Sequence, residues 1–218
     1  MIKAVLWDND GVLVDTETLF FEITCTAFAR LGLTLTRDIW GRRYLSEGRP
    51  SRQIAAELGA DPARIGPVLE QRNQQYREVL SRPAAIRPRV RETLAALKER
   101  VRLAIVTGCD RQQLDLVHQS TRLLEYFELV VTSDDCAQAK PHPELYLAAL
   151  NALKLPADVC VAIEDSPRGL ASAQAAGVRC IVVPTELTAG LDFPGALSVE
   201  KDVSGILQIL DMDNLPPR

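Results

Sequence analysis

Near the start of the chain four consecutive apolar residues, Ala4-Val5-Leu6-Trp7, stop abruptly at Asp8-Asn9-Asp10-Gly11. A short apolar run bounded by a glycine turn reads as a buried strand. The pattern returns beyond residue 88. Short strand-like runs at 103–106, 128–131, 159–163 and 180–183 alternate with helical spacing over 111–124, 143–153 and 167–176. Pro143 and Pro167 at first helical positions, and Gly177 just past a last one, are the expected end signals. Strands so continuously aliphatic are buried on both faces, which implies a parallel sheet with helical crossovers. The expected fold class is α/β, a doubly wound, Rossmann-like core.

Residues 15–82 break the alternation. Phe20, Ile23, Ala27, Phe28 and Leu31 recur at helical spacing, as do Ile54, Ala55 and Leu58, and then Ile65, Leu69, Tyr76 and Leu80. Gly32, Gly48-Arg49-Pro50 and Gly59-Ala60-Asp61-Pro62 punctuate these helices, and no strand is evident. The stretch P-A-A-I-R-P at 83–88 reads as a linker back to the core. A helical block inserted after the first strand leaves from the edge where such sheets bind ligands, so it reads as a lid. The expected domains are a core of 1–14 and 88–218 and a helical cap of 15–87.

Composition excludes some partners. The 218 residues are 47% hydrophobic and 25% charged, as in ordinary globular proteins. A net charge of −4 gives no reason to expect nucleic acid or an acidic membrane surface. No apolar run approaches the roughly 20 residues that span a bilayer, and with Met1-Ile2-Lys3 leading straight into a strand no signal peptide is expected. Five cysteines, without CxxC spacing, suit reduced thiols in a cytoplasm. Cys109, after a loop glycine, reads as a bystander thiol. A monomer is the default expectation.

The candidate chemistry sits where strands end. Asp8 and Asp10 repel each other unless a cation lies between them. They suit an oxygen-liganded divalent metal and a carboxylate nucleophile with an acid/base neighbour. Thr107-Gly108 offers a hydroxyl and an approachable amide for a phosphate oxygen. Lys140 precedes a helix that begins near Pro143, a favourable setting for an anion. Glu164-Asp165-Ser166 gives a second acid pair, in which Asp165 or Ser166 could also cap a helix. Singly these are turns, a surface lysine and a cap. At converging strand ends they suit phosphoryl transfer, where positioning and charge neutralisation dominate.

With D-x-D-G-V-L-V-D-T-E at 8–17, Thr107, Lys140-Pro141 and Glu164-Asp165-Ser166 in that order, the chain resembles the haloacid dehalogenase superfamily. The similarity covers nearly the whole chain and is to members with a helical cap after the first strand, near the phosphatase and β-phosphoglucomutase branches. The resemblance implies Asp8 as a nucleophile forming an aspartyl-phosphate and Asp10 as general acid/base. It implies Thr107 and Gly108 as phosphoryl-binding groups, and Lys140 as the residue holding Asp8 and the phosphoryl group in register. It also implies Mg²⁺ held by Asp8, the Asp10 carbonyl and Asp165, with Glu164 bound directly or through water. The usual aromatic before the nucleophile is Phe; here it is Trp7. Asp10 argues against halide displacement, which needs no acid for its leaving group.

Mutases of this kind carry a histidine that maps by count to Phe20. The histidines here are His118, expected as a packed or surface residue, and His142, expected at a helix start. Their placement favours a phosphatase of a small phosphorylated metabolite, most plausibly a sugar phosphate. A phosphosugar mutase and a non-catalytic phosphometabolite-binding protein are the alternatives; retention of Asp10 argues against the latter. Substrate choice is expected in the cap, among Glu17, Phe20, Arg43, Ser46, Glu47, Arg49, Ser51, Arg52 and Tyr76, with 45–51 as specificity loop. Each arginine there could equally be a solvated surface residue.

Overall fold

The computed structural model describes residues 1–210, so residues 211–218 of the expected core lie outside the described residues. Six strands, β1 (Ala4–Trp7), β2 (Arg102–Val106), β3 (Leu129–Val131), β4 (Cys160–Glu164), β5 (Arg179–Val182) and β6 (Ser198–Val199), form one sheet. Their order is β3-β2-β1-β4-β5-β6 and every pairing is parallel. β1 and β4 are buried throughout and lie centrally, while the short β3 and β6 take the edges. The two-residue β6 is too short to have shown as a sequence pattern.

Alternation along β1 divides the core. Val5 and Trp7 pack with α5 (Val90–Lys98), whose Val90, Leu94 and Leu97 share one face, and with α9 (Gly205–Ile209). Ala4 and Leu6 face the opposite layer, made by α7 (Glu144–Leu153) and α8 (Pro167–Ala175). Between β2 and β3 runs α6 (Arg111–His118). It is shorter than the helix expected over 111–124. Arg122 takes a left-handed conformation (φ 55°), and the Thr121 hydroxyl binds His118 and the Leu123 amide, turning the chain into a 3-10 turn.

Between β1 and β2 lie α1 (Glu17–Arg30), α2 (Arg37–Ile39) continuing into a π-helical turn at Trp40–Ser46, α3 (Ser51–Glu57) and α4 (Pro62–Leu80). These elements share their own apolar cluster around Phe28, Trp40, Leu45 and Ile54, which Leu187 joins from beyond β5. The two chain crossings into this helical layer run side by side: Asp15 donates to Ala85 and Arg87 to Leu13, both at 3.0 Å. Among the described residues no helix is long and apolar enough to cross a membrane.

Candidate active site

Register brings the sequence-identified groups to one edge. Trp7 lies opposite Ile105 on β2 and Ile163 on β4. The next residue, Asp8, therefore emerges between the ends of β2 and β4, where the order of connections reverses. Its amide donates to the Ile163 carbonyl at 2.9 Å. Lys140, buried ahead of α7, reaches Asp8 Oδ1 at 3.0 Å, Glu164 Oε1 at 2.7 Å and the Val106 carbonyl at 2.8 Å. All three ammonium hydrogens thus have acceptors. Burial works against its charge, but Asp8 and Glu164 outweigh this and raise its pKa above the ordinary lysine value. Tyr146 of α7 donates to the same Glu164 oxygen at 2.5 Å.

Asp10 accepts a close hydrogen bond from the Thr16 hydroxyl and a longer one, 3.4 Å, from Thr107. Burial, then repulsion from Asp8, raises its pKa, which favours a protonated carboxyl beside the charged Asp8–Lys140 pair. At the end of β4 Ser166 accepts from the Gly169 amide and caps α8, which leaves Asp165 free to face the site. Burial and the nearby Asp8 raise Glu164 and Asp165.

This cluster fits a hard cation. One carboxylate oxygen from each of Asp8, Glu164 and Asp165 lies within 4.8 Å of the others. Among the described residues Glu164 Oε2 and Asp165 Oδ2 are buried without a hydrogen-bond partner, an expensive state for two acids side by side. An all-oxygen donor set of this kind suits Mg²⁺. Glycine makes room for it: at Gly11 (φ 80°) a Cβ would sit 2.2 Å from Asp165 Oδ2, and at Gly169 1.9 Å from Glu164 Oε2.

A cavity of about 550 Å³ opens from Asp8, Asp10 and Asp165 towards the helical layer. Gly108 and Lys140 line it from the sheet side; Glu17, Phe20, Ser51, Arg52 and Tyr76 line it from the helices. Thr107 and Glu164 are fully buried behind this wall. Ser46 and Arg49 turn elsewhere, Ser46 to the Gly41 carbonyl (3.0 Å) and Arg49 to Glu47 and Glu57. Arg43 also pairs with Glu57, at 2.8 Å. The expected loop instead presents Gly48 and Pro50 to the cavity.

Glu17 is buried and accepts from Trp40 Nε1 at 3.0 Å, with Arg168 of α8 4.0 Å away. Burial raises its pKa to about 7. Arg168 in turn lies over the Tyr44 ring, 4.2 Å from its centre, so α8 is tied to the helical layer beside the site.

Arg72 and His118 are among the residues of this site that escape simple sequence reasoning. Arg72 is buried on α4, donates to Thr24 and Ser51 hydroxyls at 3.1 Å each, lies 4.5 Å over the Phe20 ring and lines the cavity. Among the described residues its hydrogen bonds go to those two hydroxyls and to the Asn73 carboxamide oxygen, not to a carboxylate, and burial lowers its pKa. The signal was its place at helical spacing between Leu69 and Tyr76 on the buried face. His118 is the other: its Nε2 lies 2.8 Å from Asn9 Oδ1, between the two site aspartates.

Comparison with known proteins accords with this geometry. A family model described as haloacid dehalogenase-like hydrolase matches residues 5–183. Protein CbbY of Rhodobacter capsulatus is 35% identical over 212 residues, covering 89% of this chain and 91% of that protein. A phosphorylated carbohydrates phosphatase of Thermotoga maritima is 32% identical, covering 83% of this chain and 84% of that one. Rhodobacter sphaeroides CbbY, solved as a mutant in complex with xylulose-(1,5)bisphosphate, superposes with a TM-score of 0.75 at 28% identity, covering 93% of this chain and 95% of that structure. A match over most of the chain, with the motifs gathered at one sheet edge, settles kinship: the chain belongs to the haloacid dehalogenase-like hydrolase family, on its phosphatase branch.

Proposed function

We propose that the protein is a Mg²⁺-dependent phosphatase of a phosphorylated carbohydrate, working through an aspartyl-phosphate on Asp8. The observation that carries this reading is the buried Lys140 paired with Asp8 at 3.0 Å at the wall of the cavity, next to Asp10, whose pKa burial raises. In this reading Asp8 attacks phosphorus and Asp10 gives its proton to the departing sugar oxygen. Asp10, now a carboxylate, takes a proton from the water that cleaves the acyl-phosphate. Thr107 and the Gly108 amide bind the phosphoryl oxygens. Asp8, the Asp10 carbonyl, Asp165 and Glu164 would hold Mg²⁺, which when bound would supply positive charge to offset the repulsion between carboxylate and phosphate dianion. Residues 15–87 serve as a cap over a core of 1–14 and 88 onward, excluding bulk water when substrate is seated.

Because protons compete with a metal for carboxylates of raised pKa, the thermal upshift given by Mg²⁺ is expected to shrink between about pH 8 and about pH 6. Differential scanning fluorimetry with and without MgCl₂ checks this; an upshift that grows on acidification contradicts the assigned ligands.

Phosphatase is favoured over mutase by Phe20. Its ring lies 4.8 Å from Tyr76 and 5.8 Å from Trp40, so an apolar face stands where a mutase carries its cap histidine. Water is the default phosphoryl acceptor. Arg72 is read as the group that meets an anionic or hydroxyl-rich end of the sugar, since a buried guanidinium facing a cavity needs acceptors beyond two hydroxyls and an amide. The bisphosphate bound by the CbbY relative supports an ester with a second charged group. A panel of sugar mono- and bisphosphates with Mg²⁺, scored for phosphate release, tests the reading. Arg72→Met is expected to raise KM for the best sugar ester by about tenfold or more, with little change for p-nitrophenyl phosphate. A uniform loss on both substrates contradicts that role. The five free cysteines fit a reducing cytoplasm, and the protein is read as a monomer.

A further inference from the structure

We propose that His118 is a positioning residue for the reaction, locking the Asp8–Asp10 loop to α6 through the side chain of Asn9. The inference rests on the roles given above to Asp8 and Asp10. Asn9 is fully buried, and its carbonyl accepts from the amides of Val12 (3.3 Å), Leu13 (2.9 Å) and Val14 (3.2 Å). Those bonds shape the turn internally. The Asn9 side chain ties the turn to another part of the fold, through Oδ1 at 2.8 Å from His118 Nε2.

The direction of each bond follows. Oδ1 can only accept, so Nε2 carries the imidazole proton. Nδ1 then accepts from the Thr121 hydroxyl at 2.7 Å, and Thr121 Oγ1 accepts from the Leu123 amide at 3.3 Å. Backbone amide, hydroxyl, imidazole and carboxamide form one chain of matched donors and acceptors that ends between the two aspartates. Burial pushes His118 down to about 4, which keeps the ring neutral in this arrangement at physiological pH.

Placement gives the contact its consequence. Thr107 and Gly108 lead directly into α6, and His118 is that helix's last residue. One rigid helix therefore carries the phosphoryl-binding loop at its start and grips the nucleophile loop at its end. An apolar pair of similar size would fill the same space without burying a carboxamide and an imidazole. What the polar pair adds is orientation.

The test measures kcat and KM on p-nitrophenyl phosphate with Mg²⁺, together with melting temperature, for His118→Phe, His118→Gln, Asn9→Leu and the His118→Phe/Asn9→Leu double variant. His118→Phe is expected to lower kcat about 10- to 100-fold with KM within about twofold, because a small misplacement of reacting groups costs rate and not binding. Glutamine, which can keep a donor near the Nε2 position, restores most of that loss. The double variant is no slower than Asn9→Leu alone, since both changes cut the same contact. A lower melting temperature with wild-type kcat per folded enzyme, or losses that multiply, overturns the proposal. If His118→Phe does not fold, wild-type kcat in Asn9→Leu overturns it equally. Asp8→Asn assayed alongside separates the claims. Turnover there refutes the nucleophile, whereas its loss beside a full-rate His118→Phe refutes only the lock.

Discussion

Asparagine in place of Asp8 is expected to lower phosphate release by about 10⁴-fold or more without unfolding the protein. The amide matches the carboxylate in size, but its oxygen is a poor nucleophile and cannot carry a stable phosphoryl group. Lys140 keeps Glu164 and the Val106 carbonyl as partners, so the core loses one ion pair and not its anchor. Removing the Asp8 charge also relieves Asp10, Glu164 and Asp165, each of which it pushes towards protonation. Without Mg²⁺ the variant should therefore melt no lower than wild type, while the upshift given by Mg²⁺ should fall sharply. Phosphate release and melting temperature, each with and without MgCl₂, read both consequences. Wild-type turnover would end the covalent mechanism. A collapse of the fold would show that the Asp8–Lys140 pair is structural first.

Asp10→Asn is expected to separate the two half-reactions. A sugar alkoxide leaves badly without a proton, so hydrolysis of a sugar phosphate should drop by about 10²- to 10⁴-fold. Nitrophenolate needs no proton, so p-nitrophenyl phosphate should still give a burst of about one equivalent per enzyme, followed by a stalled steady state. The stall follows because Asp10 is the group assigned to activate water. Stopped-flow absorbance records the burst. Equal losses on both substrates, with no burst, would move the acid/base role away from Asp10. Of Thr16 and Thr107, which donate to the two Asp10 oxygens, one keeps its acceptor in the asparagine and the other faces the new NH2 group.

The central sheet was legible because its signal is physical and local. Ala4-Val5-Leu6-Trp7 and the runs around Ile105 and Ile163 are apolar on both faces, which few structures other than a covered parallel sheet accommodate. The residues following them, Asp8, Thr107 and Glu164, then had to lie near one another once those strands were neighbours. What stayed hidden depends on contacts between distant segments. Arg72 lies among Leu69 and Tyr76 on the face of α4 that packs inward, yet a charge at such a position reads as an interruption of the apolar stripe. Ser46 and Arg49 share a loop with the cavity-lining Gly48, but backbone twist decides which side chains turn inward, and composition does not report twist. His118 occupies the buried stripe of α6 with Leu114 and Val117, which fits a packed residue. Only the fold places Asn9 across from it, 109 positions away in sequence. The early end of α6 has the same origin, since the Thr121 hydroxyl binds His118 and thereby terminates the helix.

The covalent step through Asp8 is tested most directly by trapping it. Asp10→Asn mixed with phosphorus-labelled p-nitrophenyl phosphate, whose leaving group needs no proton, and Mg²⁺, quenched in acid and digested, should carry the label on the peptide containing Asp8 at close to one per chain. The label should be lost in mild base, as an acyl-phosphate is, and should be absent from the Asp8→Asn/Asp10→Asn double variant. Label on any other peptide, or label retained when Asp8 is asparagine, would contradict the mechanism.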